Sequence, residues 1–248
     1  MTESLAPDLS SVSELVRARR AAAIREAALA DGAGPSGAYI VTIDGAVSVG
    51  KSTTAALLAH QLGGRPDPLD VRVVSSDGFL YPNAVLDARG LATRKGFPET
   101  YDDAALDAFV RAARTGVAEL RAPRYSHETY DVLDDLDVFA APQVLVVEGL
   151  HTARLAELVD LAVYVDADID DVERWFVERF VELSAAPTGF YAAFAGWSRP
   201  RLEAFAHEVW ASTNGPNLVD HILPNRDRVD VVVTKGPDHT VAAVTLRD

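Results

Sequence analysis

The 248-residue chain contains no cysteine, which excludes disulfide bridges, thiolate metal sites and a cysteine nucleophile. It is short of positive charge: 23 lysines and arginines stand against 37 aspartates and glutamates, for a net charge of −14. Such a surface repels a polyanion, so nucleic acid is not an expected partner. Any anionic ligand needs its cations gathered locally. No apolar run is long enough to span a bilayer. The first residues, MTESLAPDLSSVSELVRARR, lack the basic-then-apolar order of a secretory signal. No membrane partner is expected, and the expected location is the cytoplasm. What is present suits a globular protein: 48% of residues are hydrophobic and 24% charged, enough for one α/β domain with a well-buried core.

Residues 11 to about 30 read as a helix, with Ser11 and Glu14 at capping-box spacing before an alanine-rich run. DGAGPSG (31–37) reads as a linker. The expected organisation is therefore an N-terminal helix and linker over 1–37 and a main domain over 38–248. Short β-branched runs follow: YIVTI (39–43), VRVVS (71–75), VLVVE (144–148), LAVYV (161–165) and VDVVV (229–233). Near-continuous apolar runs are expected of strands covered on both faces. Helical patterns over 51–62, 103–117 and 168–185 alternate with them. That alternation predicts an α/β fold with a mostly parallel sheet flanked by helices. A further helical stretch, 199–212, belongs to a lid or acceptor region expected over about 168–223.

GAVSVGKS (45–52) fits the G-x-x-x-x-G-K-[ST] pattern of a phosphate-binding loop, between an apolar strand and a helix. Gly45 and Gly50 permit a tight turn whose N–H groups face phosphate oxygens, and the helix N-terminus adds its positive end. The candidate nucleotide-binding residues are Gly45, Ala46, Val47, Ser48, Val49, Gly50, Lys51, Ser52 and Thr53. Lys51 is expected to reach the β- and γ-phosphates of ATP, and Ser52 to hold Mg²⁺. The bland alternative is a glycine-rich turn with no ligand.

Two carboxylates follow strands: Asp77 in SSDGF and Glu148 in VLVVEG. Ligands of parallel sheets sit beyond the carboxyl ends of the strands. One carboxylate can accept a proton from an acceptor hydroxyl while the other organises Mg²⁺. Alternatively, Asp77 is a turn residue before Gly78 and Glu148 a strand-end cap. In the 168–185 helix, Val172, Trp175, Phe176, Phe180 and Leu183 share a stripe with Arg179. A guanidinium on a buried face needs an anion, and a phosphoryl group in transfer is one. The competing reading pairs Arg179 with Glu173, Glu178 or Glu182.

Together these residues resemble the bacterial type I pantothenate kinases, within the phosphoribulokinase/uridine kinase superfamily of P-loop kinases. The likeness runs from about residue 38 to the C-terminus. It rests on GAVSVGKSTTA (45–55), SSDGFLYPNAVLDARGL (75–91), KGFPETYD (95–102), APRYSHETYDV (122–132), VVEGL (146–150) and ILPNRDR (222–228). The resemblance implies ATP-dependent phosphorylation of pantothenate with Mg²⁺. It implies that Asp77 is the general base, that Lys51 and Arg179 stabilise the phosphoryl group, and that Glu148 joins Ser52 at the metal. It places Tyr125, His127, Tyr130, Phe176, Phe180 and Asn214 at the acceptor, and Lys235 and His239 near the adenine. The family forms dimers, so a homodimer is a further expectation.

The chain departs from the family pattern at four places. Phe176 stands where the family has tyrosine, which removes a hydroxyl from the pocket. Around Asn214 the string is Thr213, Asn214, Gly215, Pro216, where the family has bulky apolar neighbours, so part of the apolar wall is expected to be missing and the cavity changed. Ala56 replaces an arginine tied to feedback inhibition by coenzyme A, so the resemblance does not carry that regulation to this chain. The segment between Leu150 and Leu161 is shorter than in the family. The departures leave two alternatives open: a related kinase for another small alcohol, such as uridine or a pantothenate analogue, and a nucleotide-binding module without turnover.

Overall fold

The computed structural model of the protein describes residues 9–31, 37–185 and 188–247. Its strands are β1 (Tyr39–Gly45), β2 (Val71–Ser75), β3 (Leu120–Ser126), β4 (Asp131–Phe139), β5 (Val144–Glu148), β6 (Leu161–Asp166), β7 (Val231–Lys235) and β8 (Val241–Leu246). Six of them form one sheet in the order β2-β5-β1-β6-β7-β8. Only β8 runs antiparallel to its neighbour. The strands β3 and β4 form a separate antiparallel hairpin. This is the expected α/β architecture with a mostly parallel sheet. The central strand β1 lies between β5 and β6 with all its residues buried, as a sheet covered on both faces requires.

The helices are α1 (Ser10–Asp31), α2 (Lys51–Gly63), α3 (Asn83–Ala88), α4 (Asp103–Thr115), α5 (Ile169–Ala185) and α6 (Arg199–Val209). On one face of the sheet, Val12 and Val16 of α1 and Leu58 and Leu62 of α2 join Val41, Ile43 and Val146. On the other, Leu106, Phe109 and Val110 of α4 pack with Ile40, Leu145 and Val147. Each fully buried Leu or Val contributes about 1.5–3 kcal/mol of apolar transfer. A smaller cluster of Val177, Phe180, Phe194, Leu202 and Ala206 joins α5 to α6. No helix among the described residues is long and apolar enough to cross a membrane.

Several expectations need correction. The edge strand β2 is not covered on both faces: Val73 is 37% exposed. The last parallel strand starts at Val231 rather than 229; just before it, Asp230 donates its N–H to the Ala162 carbonyl at 3.0 Å, and its carboxylate accepts from the Ala162 N–H at 2.7 Å and from Arg19. Ser11 is no N-cap. The helix starts at Ser10, and the Ser13 N–H already donates to the Leu9 carbonyl, so Ser11 lies inside the first turn. Of the linker expected over 31–37, Asp31 belongs to α1 and 32–36 lie outside the described residues. The 199–212 helix continues to 222 through two π-helical turns, Trp210–Asn214 and Leu218–Ile222.

Candidate active site

The phosphate loop joins the fully buried strand β1 to α2. Gly50 has φ 92°, a conformation that side-chain-bearing residues rarely adopt. No side chain caps α2, so its first N–H groups stay open to an anion. Val47, Ser48, Gly50, Lys51, Ser52 and Thr53 line a cleft of about 600 Å³. Ala46 and Val49 instead anchor the loop in the core, and Gly45 also lies outside the cleft lining. The Lys51 ammonium donates to the Ala46 carbonyl at 2.7 Å. Burial pulls the Lys51 pKa down, while Glu148, Asp77 and Asp44 pull it back up.

Sheet register sets the two carboxylates. Ser75 of β2 pairs with Glu148 of β5, so Asp77, two residues further on, emerges at the same end of the sheet as Glu148. Glu148 is buried and accepts the Ser52 hydroxyl at 3.1 Å. Burial raises its pKa, against the pull of Lys51. Asp77 accepts the Tyr101 hydroxyl at 3.4 Å. Burial and the nearby Asp77 raise the Tyr101 pKa well above its ordinary value, so it stays a donor.

A second cavity, of about 250 Å³, adjoins the first. Tyr125, Tyr130, Phe176, Phe180, Phe190 and Tyr191 give it aromatic walls, with Lys95, Thr213 and Asn214 among its polar groups. The β3–β4 hairpin brings in Tyr125, His127 and Tyr130; Tyr130 stacks on Phe190 at 4.5 Å. Lys95 donates to Asn83 Oδ1 at 2.6 Å and to the Tyr130 carbonyl, and its ammonium lies 4.5 Å from the Tyr130 ring centroid. Burial pushes Lys95 down to about 8. The His127 pKa is also lowered, first by burial. Val47, Ser48, Asp77, His127, Leu150 and Arg179 line both cavities. They form the seam where a group could pass from one cavity to the other.

Arg179 is exposed, not buried as the stripe suggested. Phe176, Arg179, Phe180 and Leu183 face the second cavity, and a helical face turned to an open cavity has the same periodicity as one turned to a core. Glu178 lies within ion-pair distance of Arg174 and Glu173 pairs with His207. Among the described residues, no carboxylate forms an ion pair with Arg179. Thr213 and Asn214 are part of the cavity wall, whereas Gly215 is not. A Cβ there would lie 3.1 Å from the Trp210 carbonyl oxygen and 3.5 Å from the indole nitrogen, and Trp210 in turn packs beside Phe176 at 5.9 Å. His239 packs on Trp175 at 3.6 Å, and both line the first cleft. Lys235 stands beside the phosphate loop instead, its Cε 4.0 Å from where a Gly50 Cβ would lie.

Four polar residues near the site escaped the sequence reading. Asp44 is a fully buried carboxylate held by the N–H groups of Gly45 and Ala153 and by Asn225. Its signal was a lone charge inside an apolar strand. Lys95 and Tyr101 sit in the KGFPETYD string without having been singled out. His151 follows VVEGL directly.

Comparisons with known proteins identify the chain's relatives. Residues 40–179 match the family described as Phosphoribulokinase / Uridine kinase family. A pantothenate kinase of Sorangium cellulosum is 43% identical over 223 residues, covering 84% of this chain and 72% of that protein. One from Vibrio cholerae is 38% identical over 226 residues, covering 84% and 72%. The solved structure of D-glycerate 3-kinase from Cryptococcus neoformans aligns with a TM-score of 0.68 at 13% identity, covering 96% of this chain and 99% of that one. That likeness concerns the fold alone.

Proposed function

From the premise that this chain belongs to the phosphoribulokinase/uridine kinase family, we infer that it transfers the γ-phosphoryl group of ATP to pantothenate. The product is 4′-phosphopantothenate, and the reaction is the first step of coenzyme A biosynthesis. The relatives quoted above are pantothenate kinases matched over most of their length. The observation that carries the mechanistic reading is the seam: a nucleotide cleft and an aromatic cavity meet at Asp77, His127 and Arg179.

In this reading ATP lies along the phosphate loop, and pantothenate fills the aromatic cavity with its primary hydroxyl at the seam. Asp77 takes the hydroxyl proton as the oxygen attacks the γ-phosphorus, and ADP leaves. Lys51 and Arg179 hold the transferring oxygens by charge. Ser52 and Glu148 offer the hard oxygen donors that Mg²⁺ takes, with its other positions left to phosphate and water. When bound, Mg²⁺ neutralises charge on the β- and γ-phosphates. Tyr125, Tyr130, Phe176, Phe180 and Asn214 enclose the acceptor. Lys235 and His239 complete the nucleotide side. A homodimer in the cytoplasm, with α1 as an N-terminal addition to the kinase domain, belongs to the same proposal.

The test is ADP release with ATP and Mg²⁺ against pantothenate, pantoate, pantetheine, uridine and cytidine. Saturable turnover is expected with pantothenate and none with uridine. Turnover with uridine but not pantothenate would leave the kinase and remove the substrate. No turnover with any of them would favour a binding module.

A further inference from the structure

The Gly96 carbonyl ties three separate parts of the molecule together. His151 Nε2 donates to it at 2.8 Å, and so does Asn217 Nδ2 at 2.8 Å. Both side chains are buried, His151 at 5% exposure and Asn217 at 3%. His151 belongs to the loop that leaves β5 directly after Glu148. Asn217 belongs to the helix that continues α6. Gly96 is the second residue of the segment from Lys95 to Tyr101, which lines the aromatic cavity and supplies the Asp77 partner.

The loop carrying His151 has little freedom. A Cβ at Gly149 would sit 1.8 Å from Ser76 Oγ, so the backbone packs directly against the residue before Asp77. His151 itself holds a left-handed conformation, φ 62°, which costs a non-glycine residue about 1–2 kcal/mol. Such strain persists only where the surroundings impose it. The Tyr101 and His221 rings flank the imidazole edge-on at about 6 Å. Burial, with Arg154, His221 and Lys51 nearby, pushes its pKa down to about 4. The ring is therefore neutral at working pH, with its single N–H on Nε2, where the Gly96 carbonyl requires it.

We propose that His151 is a positioning residue that locks the 95–101 segment, and with it Lys95 and Tyr101, to the strand end bearing Glu148. Through it the acceptor cavity keeps its register with the phosphate loop. Asn217 is the second latch on the same oxygen. A carbonyl oxygen accepts two hydrogen bonds, so loss of one donor loosens the segment, and loss of both leaves a half-buried acceptor without its protein partners. The kinetic part of this proposal rests on the acceptor reading above. The structural part does not.

The experiment compares His151→Leu, His151→Gln and the His151→Leu/Asn217→Leu double variant with the wild type. Amide hydrogen exchange of the unliganded proteins reads the segment directly, whatever the acceptor. Exchange over 96–101 is expected to quicken in His151→Leu, more in the double variant, and to return toward wild type in His151→Gln, which still donates. Exchange over 51–54 stays unchanged. With pantothenate, His151→Leu raises the acceptor KM about fivefold, the factor that about 1 kcal/mol of lost hydrogen bond gives, while the KM for ATP stays constant. If His151→Leu fails to fold, His151→Gln decides by keeping the wild-type exchange pattern or losing it. Unchanged exchange over 96–101 in His151→Leu, or equal shifts of both KM values, overturns the proposal.

Discussion

The two halves of the proposed active site are built differently. The nucleotide side rests on one contiguous string between the fully buried strand β1 and α2, with Ala46 and Val49 sunk in the core. The acceptor side is gathered from the 95–101 segment, the β3–β4 hairpin, α5, the 190–191 turn and the helix reaching Asn214. Its packing core is a small aromatic cluster. Phosphate geometry is the same for every ATP kinase and suits a rigid, local motif. Acceptor identity is a matter of shape, which distant and more adjustable segments can set. The proposed seam joins the two at Asp77 and Arg179.

Substitutions can break this comparison, beginning with the nucleotide side. Lys51→Ala is expected to lower kcat by about 10²–10³-fold or more, the scale for removing one preorganised charge donor, with circular dichroism unchanged. Retained turnover would remove Lys51 from phosphoryl transfer. Asp77→Asn keeps the shape and removes the base, so kcat should fall by about 10²–10⁴-fold with little change in the KM for ATP. Full activity in that variant would end the general-base assignment.

The acceptor side should respond more gently and through the acceptor KM. Lys95, pushed down to about 8, is charged below that pH and neutral above it. If it assists a carboxylate-bearing acceptor, the pantothenate KM rises as pH passes upward through about 8 while the ATP KM does not. Lys95→Arg, which stays charged, should abolish that alkaline limb. A limb that survives the exchange assigns the titration elsewhere. The smallest effect is expected of Phe176→Tyr, which returns a hydroxyl to the cavity wall. It should lower the pantothenate KM by up to about fivefold, one hydrogen bond's worth, and leave kcat unchanged. A change in the ATP KM instead would place residue 176 on the wrong side of the seam.

The same division explains what could be read from the sequence. GAVSVGKS, its strand and its helix were legible because the chemistry is local. Glu148 and Asp77 followed from strand ends, since parallel register brings such ends together. The β3–β4 hairpin was missed: β4 carries four aspartates among its nine residues and much of it faces solvent, so no apolar run marks it. Arg179 was found for a reason that the structure corrects, since its helical face lines a cavity and not a core. Gly215 was read as a gap because the sequence does not show the π-helical turn that sets Trp210, five residues earlier, against it. His151 gave no signal at all: its role depends on Gly96 and Asn217, which are remote in sequence and meet it only in the fold.

The most direct measurement is a crystal structure of the protein with pantothenate, Mg²⁺ and a non-hydrolysable ATP analogue. The account predicts the primary hydroxyl of pantothenate within hydrogen-bond reach of Asp77, with the γ-phosphate between Lys51 and Arg179. Pantothenate bound with that hydroxyl away from the seam, or a γ-phosphate contacting neither cation, would contradict it.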